Sequence, residues 1–237
     1  MEDNKTLNIL GCVPSLLNVL LELAEEAQGI KSFQILKNIQ VDSSKDFILL
    51  KDWNVKIVEL YKTNIQFNPR ALYTLSVVGT DSKQIIYNEF KKLIQMEDMQ
   101  FVNLIHPTSY VSRSVQLNYG LQLEPLSTIA ACTSIGFGVN IKRNCNIGHH
   151  CQIEDFVTIN PGVTISGSVK IGRNTMIGTG TSIKDEITIG KNSIIGLGSV
   201  VVKDIPDNSI AYGNPCVVHR MNYKKEDSRV GKGEFHP

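Results

Sequence analysis

The chain has 237 residues, of which 42% are hydrophobic and 20% are charged, a composition typical of a globular protein with one large core or two modest domains. Its 24 Lys and Arg residues nearly balance its 23 Asp and Glu residues. Because this balance creates no net field, we expect neither a nucleic-acid partner nor an anionic membrane surface as partner.

The N-terminal residues and the cysteines indicate which cellular compartment to expect. Residues Met1–Lys5 lack the charged segment and long apolar run of a signal peptide, and no stretch of about 18 apolar residues predicts a membrane span. The chain contains five cysteines, Cys12, Cys132, Cys145, Cys151 and Cys216. They show neither metal-ligand spacing nor the density of a disulfide scaffold, so we expect a cytoplasmic, reduced protein without a metal.

The first hundred residues alternate between strand and helix patterns. Leu7–Gly11 is an apolar strand, and Pro14–Gln28 is an amphipathic helix that ends at Gly29. Further strands are predicted at Phe33–Leu36, Phe47–Leu50, Leu72–Val78 and Phe101–Ile105, and a second helix at Ser82–Met96. This alternation predicts a small Rossmann-like α/β domain over residues 1–106, with His106–Pro107 as the hinge, because a residue before proline avoids the helical region.

Residues 111–202 repeat with a period of six. Every sixth residue from Val111 to Val201 is a branched aliphatic, and the residue four positions further is in most cases small or β-branched. Neither an α-helix nor a free-standing strand has this period over ninety residues. A triangular prism does, because three hexapeptide faces make one coil of eighteen residues, which gives about five coils here.

Glycines and the end of the repeat complete this prediction. Six glycines follow an aliphatic directly, and we expect them where the backbone turns with an unusual φ: Gly136, Gly148, Gly172, Gly178, Gly190 and Gly196. The period stops at Lys203–Asn208, and Ser209–Val218 is predicted to add a closing strand. The prism domain therefore covers residues 107–219, and residues 220–237 form a polar tail.

This pattern resembles the hexapeptide-repeat transferase family, whose parallel β-helix is left-handed. The resemblance implies a mainly β protein: a left-handed parallel β-helix preceded by the small Rossmann-like domain. The same prism also carries γ-class carbonic anhydrases and purely structural proteins, so the fold alone does not identify the chemistry.

Residues Ile147–Gly167, IGHHCQIEDFVTINPGVTISG, resemble the central stretch of the sialic-acid-pathway and bacillosamine-pathway sugar acetyltransferases. The resemblance implies that His149 is the general base and that the Gly167 backbone N–H binds the developing oxyanion. His150 stands where that family usually has Asp or Glu, and a neutral neighbour stabilises an imidazolium less than a carboxylate does. Thr158 stands where many relatives have a histidine near the acetyl group.

The resemblance further implies a homotrimer with acetyl-CoA in the groove between neighbouring prisms. The candidate coenzyme residues are Gly167, Gly178, Thr179, Gly180, Gly196, Leu197 and Gly198, with Lys203, Arg220 and Lys224 or Lys225 for the nucleotide phosphates. Alternatively, each glycine has only a structural role at a corner of the prism, and each lysine is only a solvated residue on the surface.

The N-terminal domain gives a weaker indication of substrate. Relatives bind the nucleotide of a UDP-sugar with a Gly-rich turn after the first strand, whereas this chain has only Gly11 there, followed by bulkier residues. Gly79, Thr80 and Asp81 follow a later strand and are candidates for lining the cleft. The expected function is acetyl transfer to an amino or hydroxyl group of a sugar, nucleotide-linked and destined for surface polysaccharide.

Two other functions compete with this hypothesis. A non-catalytic or regulatory trimer is favoured by the departures at His150 and Thr158 and by the altered glycine turn. A zinc enzyme like the γ carbonic anhydrases needs three histidines from two adjacent subunits, whereas the prism offers His149 and His150. Covalent catalysis by Cys151 is a further alternative, although its inward corner position is typical of a structural residue.

Overall fold

The computed structural model describes residues 5–11, 13–38, 49, 51–60, 68, 70–77, 79 and 82–223. Over these residues an N-terminal α/β unit is followed by a parallel β-helix with three faces. The predicted fold class is confirmed in both parts. The predicted polar tail lies outside the described residues from position 224 onwards.

The α/β unit is built on four parallel strands in the order β3-β2-β1-β4. The strands are β1 (Thr6–Leu10), β2 (Ser32–Lys37), β3 (Asn54–Glu59) and β4 (Leu72–Leu75), and the helices are α1 (Pro14–Gln28), α2 (Ser82–Ile94) and a 3-10 turn at Asp98–Gln100. Pro14 suits the first turn of α1, because a backbone N–H at that position would have no acceptor within the helix. Gly29 ends the helix with a left-handed φ of 68° and donates its N–H to the Glu25 carbonyl.

The predicted first helix is confirmed to the residue, and the second ends two residues early. The run Phe47–Leu50 lies mostly outside the described residues. The strand β3 was missed, because it forms the edge of the sheet and buries only Val58, so its sequence lacks an apolar run. Leu104–Ile105, expected as the last strand of this sheet, instead pairs with Gln122–Leu123 and starts the β-helix.

The β-helix has three faces whose two-residue strands pair in parallel with the strands eighteen residues away. Face 1 contains Leu104–Ile105, Gln122–Leu123, Asn140–Ile141, Thr158–Ile159, Met176–Ile177 and Ile194–Ile195, extended by a hairpin of Ser209–Gly213 and Cys216–Met221. Face 2 contains Tyr110–Val111, Thr128–Ile129, Asn146–Ile147, Thr164–Ile165, Ser182–Ile183 and Val200–Val201. Face 3 contains Gln116–Leu117, Ser134–Ile135, Gln152–Ile153, Lys170–Ile171 and Thr188–Ile189.

The period of six corresponds to two distinct backbone positions. The repeated aliphatics from Leu123 to Val201 line the axis and are at most 2% exposed, so each contributes about 1.5–3 kcal/mol of burial free energy. Every sixth residue from Leu126 to Gly198 forms a corner with a left-handed φ of 54° to 71°. Asn, Ser and even Phe occupy these corners, so the corner does not require glycine.

The prediction that six glycines supply unusual φ angles was wrong. None of Gly136, Gly148, Gly172, Gly178, Gly190 and Gly196 has a left-handed φ. A Cβ on Gly172 would lie 2.5 Å from the Lys191 amide nitrogen, and one on Gly178 would lie 2.5 Å from the Leu197 amide nitrogen. These glycines are therefore needed because the next coil approaches too closely for a side chain.

The α/β unit packs on face 1 and on the corner that joins face 3 to face 1. The ring of Tyr87 from α2 lies 5.0 Å from Phe137 and 5.7 Å from Phe156, both of the β-helix, measured between centroids. Gln122 on face 1 donates a hydrogen bond of 2.6 Å to the Leu75 carbonyl at the end of β4. These contacts bury an aromatic cluster and hold the two parts together.

A buried lysine joins the same two parts. Lys83 on α2 is 1% exposed, and its Nζ donates to the carbonyl oxygens of Gly138 at 3.2 Å and Val157 at 3.0 Å. Burial lowers the pKa of Lys83 well below its usual range, and the nearby positive charge of Lys142 lowers it further. A neutral amine has two N–H groups, which matches the two carbonyl acceptors.

We predict that Lys83→Met makes stability less dependent on pH. Between the lowered pKa of folded Lys83 and the unfolded value of about 10.4, the unfolded chain binds more protons, so stability increases as pH rises. This contribution reaches at most about 1.4 kcal/mol per pH unit. Urea unfolding from pH 7 to 9.5 should show a flatter curve for Lys83→Met, whereas Lys92→Met, an exposed position of α2, should follow the wild type. Parallel curves for all three proteins would contradict the neutral lysine.

Candidate functional site

His149 and His150 form the corner between a strand of face 2, Asn146–Ile147, and a strand of face 3, Gln152–Ile153. The His149 carbonyl accepts the Ser168 N–H at 2.8 Å, and the His150 N–H donates to the Ala131 carbonyl at 3.0 Å. The coils on both sides therefore fix this backbone, and both imidazole side chains are exposed. This corner lies opposite face 1, on which the α/β unit packs.

Gly167 lies one coil further along the same corner and provides the space for the His149 ring. A Cβ on Gly167 would lie 2.6 Å from His149 Cε1 and 2.8 Å from Nε2. The ring therefore rests against the bare backbone of Gly167, and any side chain there would displace it. Ala131 holds the equivalent position two coils before Gly167, so this column of the β-helix accepts alanine.

The two histidine rings contact each other edge to face. Their Nδ1 atoms are 3.0 Å apart and the ring planes make an angle of 86°. In the part of the chain that the structure describes, the carboxylate ion pairs involve lysine and arginine, and no carboxylate pairs with either ring. An imidazole nitrogen with a free lone pair can accept a proton from a substrate, so this corner can perform general base chemistry.

Cys151 follows the two histidines and points into the prism. It is fully buried, and its Sγ lies 3.2 Å from the Ser166 carbonyl oxygen. Burial raises the pKa of the Cys151 thiol, which disfavours the nucleophilic thiolate. The geometry therefore argues against covalent catalysis by Cys151.

The other glycine candidates occupy a different corner. Gly178–Gly180 and Gly196–Gly198 form successive turns of the corner between face 1 and face 2. Gly180 and Gly198 have left-handed φ angles of 68° and 65°, and no atom lies within 4 Å of a Cβ built on either. Thr179 is exposed and Leu197 is 81% exposed. Gly167 therefore lies at the same corner as His149. The other six candidates lie at the corner on the opposite side of face 2: Gly178, Thr179, Gly180, Gly196, Leu197 and Gly198.

At its outward strand positions, face 2 carries a strip of short, uncharged side chains between these two corners, and the exposed Lys184 lies beside it. Its outward residues over the central coils are Thr128, Asn146, Thr164 and Ser182, all exposed. Lys203 follows the last strand of this face, and Arg220 lies in the terminal hairpin; both are exposed. Lys224 and Lys225 lie outside the described residues.

The substrate candidates are dispersed. Thr158 lies on face 1 and is 2% exposed, with no hydrogen-bond partner for its Oγ1 among the described residues, so the structure does not bring it to His149. Gly11 follows β1 and Gly79 follows β4, with left-handed φ angles of 78° and 113°. A Cβ on Gly11 would lie 3.1 Å from Val77 Cγ2. Thr80 and Asp81 lie outside the described residues.

One feature of the domain junction has no signal in the sequence. A cavity of about 20 Å³ lies between α1, the end of β4 and face 1, enough for one water-sized group. Ser76 Oγ and Asn140 Oδ1 line it, and both are buried without a hydrogen-bond partner in the described structure. Ser76 and Asn140 are more than sixty residues apart in the chain, so no local pattern predicts that they meet.

Two further observations concern the described residues as a whole. No three side chains of His, Cys, Asp or Glu come together there in a way that could hold a metal ion. None of the helices in this part of the chain has the length and apolar character needed to cross a membrane.

Comparisons with known proteins agree with this architecture. Residues 168–203 match the family model described as bacterial transferase hexapeptide (six repeats). A comparison with curated protein sequences gives no match. Among solved structures, a histidine-to-asparagine variant of perosamine N-acetyltransferase from Caulobacter crescentus, in complex with CoA and GDP-perosamine, is 23% identical, with a TM-score of 0.72 over 92% of this chain and 98% of that one.

Two other solved structures are similar over the same length. The acetyltransferase domain of PglB from Neisseria gonorrhoeae, in complex with acetyl coenzyme A, is 24% identical and has a TM-score of 0.65 over 91% of this chain and 100% of that one. WeeI from Acinetobacter baumannii is 19% identical, with a TM-score of 0.72 and the same coverage. These similarities show the fold: an α/β unit followed by a left-handed parallel β-helix of hexapeptide repeats.

Proposed function

We propose that this protein is an acetyl-CoA-dependent acetyltransferase with His149 as its general base. The observation that carries the proposal is the exposed His149 ring, for which Gly167 leaves room at a corner of the β-helix. The fold is shared along 92% of the chain with an N-acetyltransferase solved with CoA and GDP-perosamine. Two such solved structures are variants in which one histidine is replaced, by asparagine or by alanine.

The acceptor is an amino or hydroxyl group of a sugar, nucleotide-linked and used for surface polysaccharide. The base removes a proton from the attacking nitrogen or oxygen, and a hydrogen-bond donor stabilises the oxyanion on the thioester carbonyl. Gly167 can provide that donor, because no backbone hydrogen bond within the described residues uses its N–H. To accept a hydrogen bond from the Gly167 N–H, the oxygen of the thioester carbonyl has to bind at the same corner as His149.

Coenzyme A lies along the uncharged strip of face 2, between the two corners. The open left-handed turns at Gly180 and Gly198 let the pantetheine arm approach the backbone, since no atom lies within 4 Å of a Cβ built on either glycine. The exposed Thr179 and Leu197 flank the arm. Lys203 and Arg220 are the cations proposed for the nucleotide phosphates.

We predict a homotrimer with parallel prism axes. The α/β unit packs on face 1 of its own chain, whereas the uncharged strip on face 2 is exposed and can pack against a second prism. Light scattering at micromolar concentration should give three times the chain mass of 26.3 kDa. A monomer under these conditions would contradict both the trimer and the coenzyme groove that it forms.

We predict that His149→Ala lowers turnover by about 10²- to 10⁴-fold, because a positioned base is lost while the thioester still binds. The assay follows free thiol release from acetyl-CoA with a panel of amino-sugar nucleotides, and calorimetry should give a nearly unchanged Kd for acetyl-CoA. His106→Ala, on the first coil of the same prism, is the control and should stay active. Absence of thiol release from the wild type with every acceptor would favour the non-catalytic trimer.

We predict that Gly167→Ala costs nearly as much activity as His149→Ala, because its Cβ would occupy the place of the His149 ring. The free energy of unfolding should change little, since Ala131 occupies the equivalent position two coils before Gly167 and the φ of Gly167 is not left-handed. In the His149→Ala background the second substitution should have no further effect on turnover. An additive loss in the double variant would mean that Gly167 acts independently of the ring.

A further inference from the structure

The contact between the two histidine rings constrains where their protons lie. Their Nδ1 atoms are 3.0 Å apart, a hydrogen-bond distance. Such a bond needs one Nδ1 to carry a proton and the other to offer a lone pair. In a neutral imidazole only one nitrogen carries a proton, so the donor ring has a free lone pair on Nε2 and the acceptor ring has Nε2–H. The neutral pair therefore presents one base and one N–H donor.

We propose that His150 is a positioning residue that accepts the Nδ1–H of His149 and so keeps Nε2 of His149 unprotonated, ready to act as the base. The assignment of the donor ring rests on the proposed function, which makes His149 the base. The Nε2–H of His150 then remains available at the same corner as a hydrogen-bond donor to an oxygen of the bound substrates. A carboxylate in this position could accept the same hydrogen bond but could not donate one.

The reaction step keeps its protons and electrons in balance. The acceptor's N–H or O–H bond breaks as a new N–H bond forms at His149 Nε2, and the attacking lone pair bonds to the thioester carbon. The C–S bond then breaks, and the proton on His149 passes to the thiolate of coenzyme A. While His149 is an imidazolium, its Nδ1–H bond to His150 is charge-assisted and therefore stronger than in the resting pair.

The backbone at this corner permits a clean test. His150 has a left-handed φ of 56°, and equivalent corners of this β-helix hold Asn144, with φ of 59°, and Leu126, with φ of 60°. His150→Asn and His150→Leu are therefore compatible with the turn and differ little in shape from each other. Only asparagine has an oxygen attached to Cγ, where it can accept the His149 Nδ1–H.

The first measurement is the protonation pattern of His149 by ¹⁵N NMR of the ring nitrogens, in the trimer without substrate. The wild type should show a protonated Nδ1 and an unprotonated Nε2 on His149. The His150→Leu variant should revert to the Nε2–H form that free imidazole side chains prefer, and His150→Asn should restore the wild-type form. An unchanged pattern in His150→Leu would overturn the proposal.

The second measurement is the kinetic split between kcat and KM. His150→Leu should lower kcat by about 10- to 100-fold, less than loss of the base itself, and should leave the KM for acetyl-CoA nearly unchanged. His150→Asn should recover most of that loss. Equal rates for the two variants would overturn the positioning role. Full activity of His149→Ala would overturn the proposed function instead, whereas the NMR pattern would still test the hydrogen bond between the rings.

Discussion

The backbone hydrogen bonds between successive coils are the constraint on which the rest of this structure depends. Alternate residues donate their backbone N–H to a carbonyl seventeen positions further on, as Asn146 does to Val163 at 2.9 Å and Gly148 to Ile165 at 2.8 Å, so coils stack with side chains in columns. The axis is filled by aliphatics, and the close stacking explains why Gly172 cannot carry a Cβ. The columns also determine which residues meet at the corners, because residues eighteen positions apart become neighbours in space.

The candidate site follows directly from this stacking. His149 and Gly167 are eighteen residues apart and share a corner. Because Gly167 has no side chain, the His149 ring can lie against its backbone. The α/β unit packs at the opposite side, held by the aromatic cluster and by the buried Lys83. The resulting arrangement leaves the histidine corner and the strip of short side chains on face 2 accessible for the proposed coenzyme and the proposed second prism.

The pair of histidines distinguishes this corner from one with a carboxylate beside the base. A carboxylate would hold the proposed base through charge, whereas in our proposal His150 holds it through a neutral nitrogen lone pair 3.0 Å away. The neutral partner gives less stabilisation to an imidazolium and adds an N–H donor to the site. In the proposed site, a histidine in place of a carboxylate therefore changes the electrostatics of the base while keeping a hydrogen bond that orients it.

The β-helix, the bounds of α1 and the position of His149 could be predicted from the sequence, because periodicity, proline and glycine caps and a local motif act through neighbours in the chain. Features that depend on contacts between residues far apart in the chain became visible only in the three-dimensional structure. It showed that Gly172 avoids the next coil rather than turning the chain, that Leu104 joins face 1 and that Thr158 is buried beneath the α/β unit. It also revealed the buried Lys83 with its lowered pKa, since burial between the α/β unit and the β-helix leaves no local pattern in the sequence.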